Sequence, residues 1–235
     1  MKIVVTFAVA SEVASWRRSS RFAREVHVVM TGIGMRRPQR ELRELLATPV
    51  HFCIACGLAG ALKKQHRVGS IVVARGIKTE AKKTILTSDG GLVDAAVRCG
   101  AHPVNFLYTA NTVVNSPSER SRLGEIADAV DMETFHVLAE ARRAGVPAVA
   151  VRAISDSRER SLPIDFNRVV TIRGELSWLP MLAEAAKHPR RFAELVRFGI
   201  ASSNAARNLG RFLDSYVKFL ITNESIRTPL ERVHR

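Results

Sequence analysis

The chain is poor in aromatic residues, poor in cysteine, and short of acid relative to base. Only 6% of its 235 residues are Phe, Trp or Tyr, too few for the stacked rings on which single-strand nucleic-acid platforms hold bases. Three cysteines, Cys53, Cys56 and Cys99, make no disulfide framework. Cys53 and Cys56 have Cys-x-x-Cys spacing, but they lie inside the apolar run 51–56 with no second ligand pair in view, so no metal site is expected. Buried, reduced thiols suit a reducing compartment. No apolar run reaches the ~18 residues that a membrane-spanning helix needs. The first ten residues carry one charge and lead straight into Ser11-Glu12, which reads as a first core strand, not a signal peptide. A cytoplasmic location is the expectation. Asp and Glu number 22 against 36 Lys and Arg, a net charge of +14. That excess favours anionic partners, yet it is spread along the chain. Arg17, Arg18, Arg21 and Arg24 form one group and Arg36, Arg37, Arg40 and Arg43 another. Without a focused basic patch, nucleic acid is not an expected partner.

Hydrophobic residues make up 46% of the chain and charged ones 25%, enough for one well-packed domain. Valine- and isoleucine-rich runs read as strands at residues 2–9, 26–30, 50–55, 68–74, 77–86, 104–109 and 148–154. Helical patterns occupy 38–46, 91–99 and 131–144. Runs with so little alternation belong to strands covered on both faces. The expected fold is therefore α/β: a single three-layer domain with a central mixed, largely parallel sheet flanked by helices, plus a C-terminal helical extension. The expected division is a catalytic core over 1–160 and an extension over 161–235, packed on or continuing the same domain. In the extension Leu209, Phe212, Leu213, Tyr216, Val217 and Leu220 recur at helix spacing, flanked by Arg207, Arg211 and Lys218. Such a stripe either packs on the sheet or lies on an anionic membrane surface.

Carboxylates fall where strands end and a helix begins. Asp131-Met132-Glu133 opens one helix, the strand 148–154 runs into Ser155-Asp156, and Glu12 follows the first strand. In α/β sheets ligands bind in the crevice at the carboxyl ends of strands, and paired carboxylates suit acid–base work. Asp131 and Glu133 also fit plain helix capping. Gly32-Ile-Gly34 follows a strand and precedes Arg36 and Arg37, so it is either an anion-binding turn or simply a turn. Gly57-Leu-Ala-Gly60 reads as a tight turn or a place of close ligand approach.

Taken together these segments resemble the nucleoside phosphorylase and nucleosidase superfamily, above all the methylthioadenosine/S-adenosylhomocysteine nucleosidases and the hopanoid-associated phosphorylases. The segments that carry the likeness, in order, are Ala8-Val-Ala-Ser-Glu12, Thr31-Gly-Ile-Gly34, Gly57-Leu-Ala-Gly-Ala-Leu62 with Val68-Gly-Ser-Ile-Val-Val73, Asp131-Met-Glu133, and Arg152-Ala-Ile-Ser-Asp156. They span residues 1–156.

The resemblance implies cleavage of the N-glycosidic bond of a purine nucleoside, most simply a 5′-modified adenosine, without metal or organic cofactor. Asp156 would protonate N7 of the base, Glu133 would hold the ribose hydroxyls, and Met132 would pack against the sugar. Glu12 would orient a nucleophilic water. Ser155 and Arg152 would support the Asp156 loop, Val113 and Val114 would line the base pocket, and Gly57 would sit against the ligand. Inorganic phosphate is the alternative nucleophile, with Gly34, Arg36 and Arg37 as its site. The family also implies a homo-oligomer. The hopanoid-associated branch adds an adenosyl lipid as substrate and a basic tail like Leu179-Pro180, His188-Pro-Arg-Arg191 and 207–220. Three departures stand out: Val113 replaces a stacking Phe, Leu58 replaces a Ser, and Arg36 and Arg37 lie beside the glycine turn. The first two keep open the alternative of a non-catalytic protein of the same fold that binds a nucleoside or docks on a membrane.

Overall fold

The computed structural model describes residues 1–20, 22–35, 39–80, 82–159 and 189–223. Arg36, Arg37, Leu179, Pro180 and His188 lie outside them. Among the described residues eight strands form one sheet. The most apolar runs occupy its middle. Every residue of β1 (Ile3–Phe7) and of β8 (Ala148–Asp156) is buried, as expected of strands covered on both faces. Parallel pairs join β1 to β2 (His27–Met30) and to β3 (Phe52–Ala61), and β3 to β8. Parallel pairs also join β6 (His102–Thr109) to β4 (Ile71–Thr79) and to β7 (Ala129–Asp131). The antiparallel contacts are β3 with β7, β4 with β5 (Lys82–Thr87), and β4 with β8. The sheet is mixed and mainly parallel, as expected.

Its closure is not visible in the sequence. Pairings run β3–β8–β4–β6–β7 and back to β3, a ring of five strands from which β1, β2 and β5 extend. A closed ring leaves no exposed edge and gathers strand ends around one opening. Helices cover both outer faces. On one side α1 (Ala10–Ser19), α3 (Gly90–Arg98) and the 34-residue α6 (Pro189–Thr222) bury Trp16, Leu92, Leu209, Leu213 and Tyr216. On the other, α2 (Gln39–Leu46) and α5 (Thr134–Arg143) bury Leu42, Leu46, Phe135 and Leu138. A short α4 (Pro117–Gly124) closes a third cluster around Leu62, Val114 and Leu123.

Four sequence expectations change. Residues 57–60 are not a turn but the end of β3, where the backbone runs on as strand. The helix expected over 131–144 starts at Thr134, because Ala129–Asp131 is taken up between β3 and β6 as β7. The first strand stops at Phe7, and α1, unread in the sequence, carries Glu12 in its first turn. The run 77–86 divides into the end of β4 and most of β5. The apolar stripe of α6 faces the core: Leu209, Leu213, Tyr216, Val217 and Leu220 are all fully buried, each stabilising by about 1.5–3 kcal/mol relative to exposure. That stripe is therefore not a membrane-facing surface. Tyr216 also donates to the Leu92 carbonyl at 2.8 Å. No helix among the described residues is long and apolar enough to cross a membrane.

Candidate active site

A cavity of about 280 Å³ opens at the end of the strand ring, near the lower end of the range for small-molecule sites. Glu12, Glu133 and Asp156 all line it, although α1, the start of α5 and the end of β8 supply them separately. They are 6%, 7% and 6% exposed, so each depends on partners in the protein.

Glu12 is held by main-chain amides. Its Oε2 accepts from Ala8 at 2.9 Å and Val9 at 3.1 Å, and its Oε1 accepts from Leu58 at 2.9 Å. Burial pushes this carboxyl up, against the pull of the Leu58 amide, the Arg152 charge and the other two amides. Gly57 makes the arrangement possible. A side-chain carbon there would stand 2.9 Å from Arg152 Nη1 and 3.1 Å from Glu12 Oε1, and its φ is +151°, a backbone that L residues rarely adopt. Gly57 thus lies behind Glu12 and does not line the cavity wall.

Glu133 accepts from the Gly34 amide at 2.9 Å. Burial, then repulsion from Asp131, pushes its carboxyl up to about 8. The Gly34 N–H, a candidate phosphate donor in the sequence, is thus taken by the Glu133 carboxyl group. Met132, Val113 and Val114 line the cavity beside it.

Asp156 owes its direction to an irregularity. Ala59 pairs with Ile154 but Gly60 pairs with Asp156, so β8 carries one extra residue at this point. Such a bulge breaks strand alternation and re-aims side chains. As a result Ser155 and Asp156, neighbours in sequence, both line the cavity. Ser155 Oγ lies 2.5 Å from Asp156 Oδ1 and 3.2 Å from the Ala59 carbonyl.

Arg152 does not support the Asp156 loop, as the resemblance suggested. Its Nε and Nη2 donate to Asp131 Oδ2 at 2.9 and 2.5 Å, and Nη2 also reaches Thr134 Oγ1 at 2.6 Å. Asp131 further accepts from Thr109 Oγ1 at 2.8 Å and from the Thr134 amide at 3.1 Å. It caps α5 from two residues upstream of Glu133, the N-cap position, whose own side chain makes no capping bond. Arg152 Nη1, on the side of Gly57 and Glu12, is buried and has no hydrogen-bond partner.

The partner of Asp156 is a residue that sequence reasoning missed. Arg120, 2% exposed on α4, forms an ion pair with Asp156 Oδ2. Its Nε and Nη2 both donate to the Val114 carbonyl at 3.1 Å, and Nη1 also donates to the Ser157 carbonyl at 3.0 Å. Ser116 as N-cap and Pro117 in the first turn would have disclosed the helix. Nothing in the pattern separates Arg120 from Arg122 two residues later. Phe198 and Ser202 of α6 were missed as well, and they close one wall of the cavity.

Comparison with known proteins bears on the fold and the family. Among solved structures, the 5′-methylthioadenosine/S-adenosylhomocysteine nucleosidase from S. pneumoniae is 18% identical, with a TM-score of 0.67 over 94% of this chain and 100% of that one. The corresponding nucleosidase from Neisseria meningitidis is 19% identical, with a TM-score of 0.65 over 92% and 98%. Futalosine hydrolase of Helicobacter pylori is 16% identical, with a TM-score of 0.66 over 93% and 97%. At such identities the likeness is one of fold. No curated protein matches the sequence. A family model for the phosphorylase superfamily matches residues 18–174, a span that holds Arg120, Glu133, Arg152 and Asp156, and the chain belongs to that superfamily.

Proposed function

We propose that the protein hydrolyses the N-glycosidic bond of a purine nucleoside, most simply a 5′-modified adenosine. The observation that carries this reading is the convergence of Glu12, Glu133 and Asp156 on one cavity. Breaking the bond builds positive charge on the sugar and negative charge on the base. Asp156 gives its proton to N7 of the base as the C1′–N9 electron pair leaves with that base. Glu133 binds the ribose hydroxyls, Met132 packs on the sugar, and the apolar wall of Val113, Val114 and Phe198 takes the base. Phe198 supplies the ring that Val113 lacks.

The nucleophile is water. A water in the cavity beside Glu12 donates a hydrogen bond to it and gives up its proton to a carboxylate whose buried setting makes it a better base. A phosphate dianion in that place would face Glu12. The lining contributed by Val9 and Ile33 is apolar and fits an apolar 5′ substituent, and an adenosyl lipid is among the candidates.

The decisive assay incubates the protein with methylthioadenosine, adenosylhomocysteine, futalosine, inosine and an adenosyl lipid, with and without phosphate. Free base should appear without phosphate. No base from any substrate would sink the reading, and strict dependence on phosphate would replace hydrolysis by phosphorolysis.

A further inference from the structure

Arg120 is a fully buried cation with five hydrogen-bonding hydrogens, and four of them have partners in the structure. One edge of the guanidinium holds the Val114 carbonyl, on the wall assigned to the base. The other edge holds Asp156 Oδ2 and the Ser157 carbonyl. Gly60 makes room for the pair: a side-chain carbon there would come within 3.1 Å of Asp156 Oδ2 and 3.5 Å of both terminal nitrogens of Arg120. Burying a charge this deeply is costly unless it is paired, and a Leu in its place would fill α4 with less penalty. The arginine therefore calls for a reason beyond packing.

We propose that Arg120 is a positioning residue for departure of the base, acting through Asp156; this rests on the nucleosidase reading above. With a proton on Oδ1, Asp156 still accepts from Arg120 at Oδ2. Ser155 then receives that proton's hydrogen bond and passes its own hydrogen to the Ala59 carbonyl. Once the C1′–N9 bond breaks and the proton has moved to N7, Asp156 is a carboxylate. The single Ser155 hydrogen turns to Oδ1, and Arg120 balances the new charge without moving. Water loses its proton to Glu12, and exchange with solvent restores Asp156, so the sum is nucleoside plus water to free sugar and free base. By holding the Val114 carbonyl with the same guanidinium, Arg120 also keeps the base wall and the acid in register.

The test measures kcat and KM for the wild type, Arg120→Met and Arg120→Lys on 5′-methylthio purine ribosides whose bases differ in basicity. Arg120→Met should lower kcat for the adenine substrate by about 100-fold, the usual scale of acid catalysis, while KM changes by less than about threefold. The deficit should shrink below about tenfold for the most weakly basic base, which leaves with least help. Arg120→Lys keeps the charge and should recover at least about a tenth of wild-type kcat; it carries the comparison if the Met variant does not fold. An equal loss on every base would show a merely structural role and overturn the proposal, as would full activity of the Met variant. A wild-type protein that cleaves none of the series defeats the nucleosidase reading itself, which is a different result from a flat loss in the variants.

Discussion

Two buried arginine–aspartate pairs sit within the same fold and do different work. Arg152 and Asp131 face each other across a closed network. Thr109, the Thr134 hydroxyl and the Thr134 amide take up the rest of the Asp131 carboxylate, which thereby ties β7, β6 and α5 together. Arg120 and Asp156 make the same kind of pair, and both aspartates border the cavity, but the Asp156 side chain is 7% exposed against 1% for Asp131 and shares its other oxygen only with Ser155. A carboxylate enclosed by five donated hydrogen bonds is architecture. One with a face left toward a ligand is available for chemistry. The arginines differ in the reverse sense: all of Arg120's nitrogens are engaged, whereas Arg152 keeps Nη1 without a partner near Glu12.

The largest effect should come from breaking the closed pair. Asp131→Ala leaves Arg152 buried with only the Thr134 hydroxyl, and should cost about 3–5 kcal/mol of stability in denaturant unfolding. Asp156→Asn tests the open pair. Arg120 keeps the Val114 and Ser157 carbonyls, so the stability loss should stay near 1–2 kcal/mol, while kcat for nucleoside cleavage falls by about 100-fold or more. If Asp156→Asn proves as destabilising as Asp131→Ala and leaves turnover intact, the contrast between the pairs is wrong.

Glu133 sharpens the comparison through pH. Its folded-state pKa of about 8 lies above the ordinary 4.5, so between those values the unfolded chain has lost a proton that the folded protein keeps. Stability from this group is undiminished below about 4.5, falls as pH rises through that window, and levels off above about 8. Glu133→Gln should remove this dependence and raise stability at pH 8 by about 1 kcal/mol. A melting-temperature profile unchanged by the substitution would count against a neutral Glu133. Arg40→Ala supplies the lower bound. Its pair with Glu44 is 91% and 64% exposed, and its loss should cost less than about 0.5 kcal/mol.

Much of this was legible in the chain, and what was legible has a common cause. The runs 3–5 and 148–151 are apolar at successive positions, as strands buried on both faces require. Glu133 and Asp156 were found because helix starts and strand ends both project into the crevice of an α/β sheet. Residues 57–60 misled because glycine signals a turn and equally a strand that something approaches closely. Here the neighbours are Arg152, Glu12 and the Arg120–Asp156 pair. Arg120 stayed hidden because an arginine in a short polar helix looks the same whether it faces solvent or the core.

The sequence by itself determined the layers, the mainly parallel strands and the identity of three acids, since these depend on local pattern. Tertiary structure decided which arginine each acid faces, which N–H groups are already taken, and that a bulge turns Asp156 into the cavity beside Ser155. Those outcomes depend on closing a ring of strands far apart in the chain, and hydrogen bonding across such distances leaves no periodicity to read.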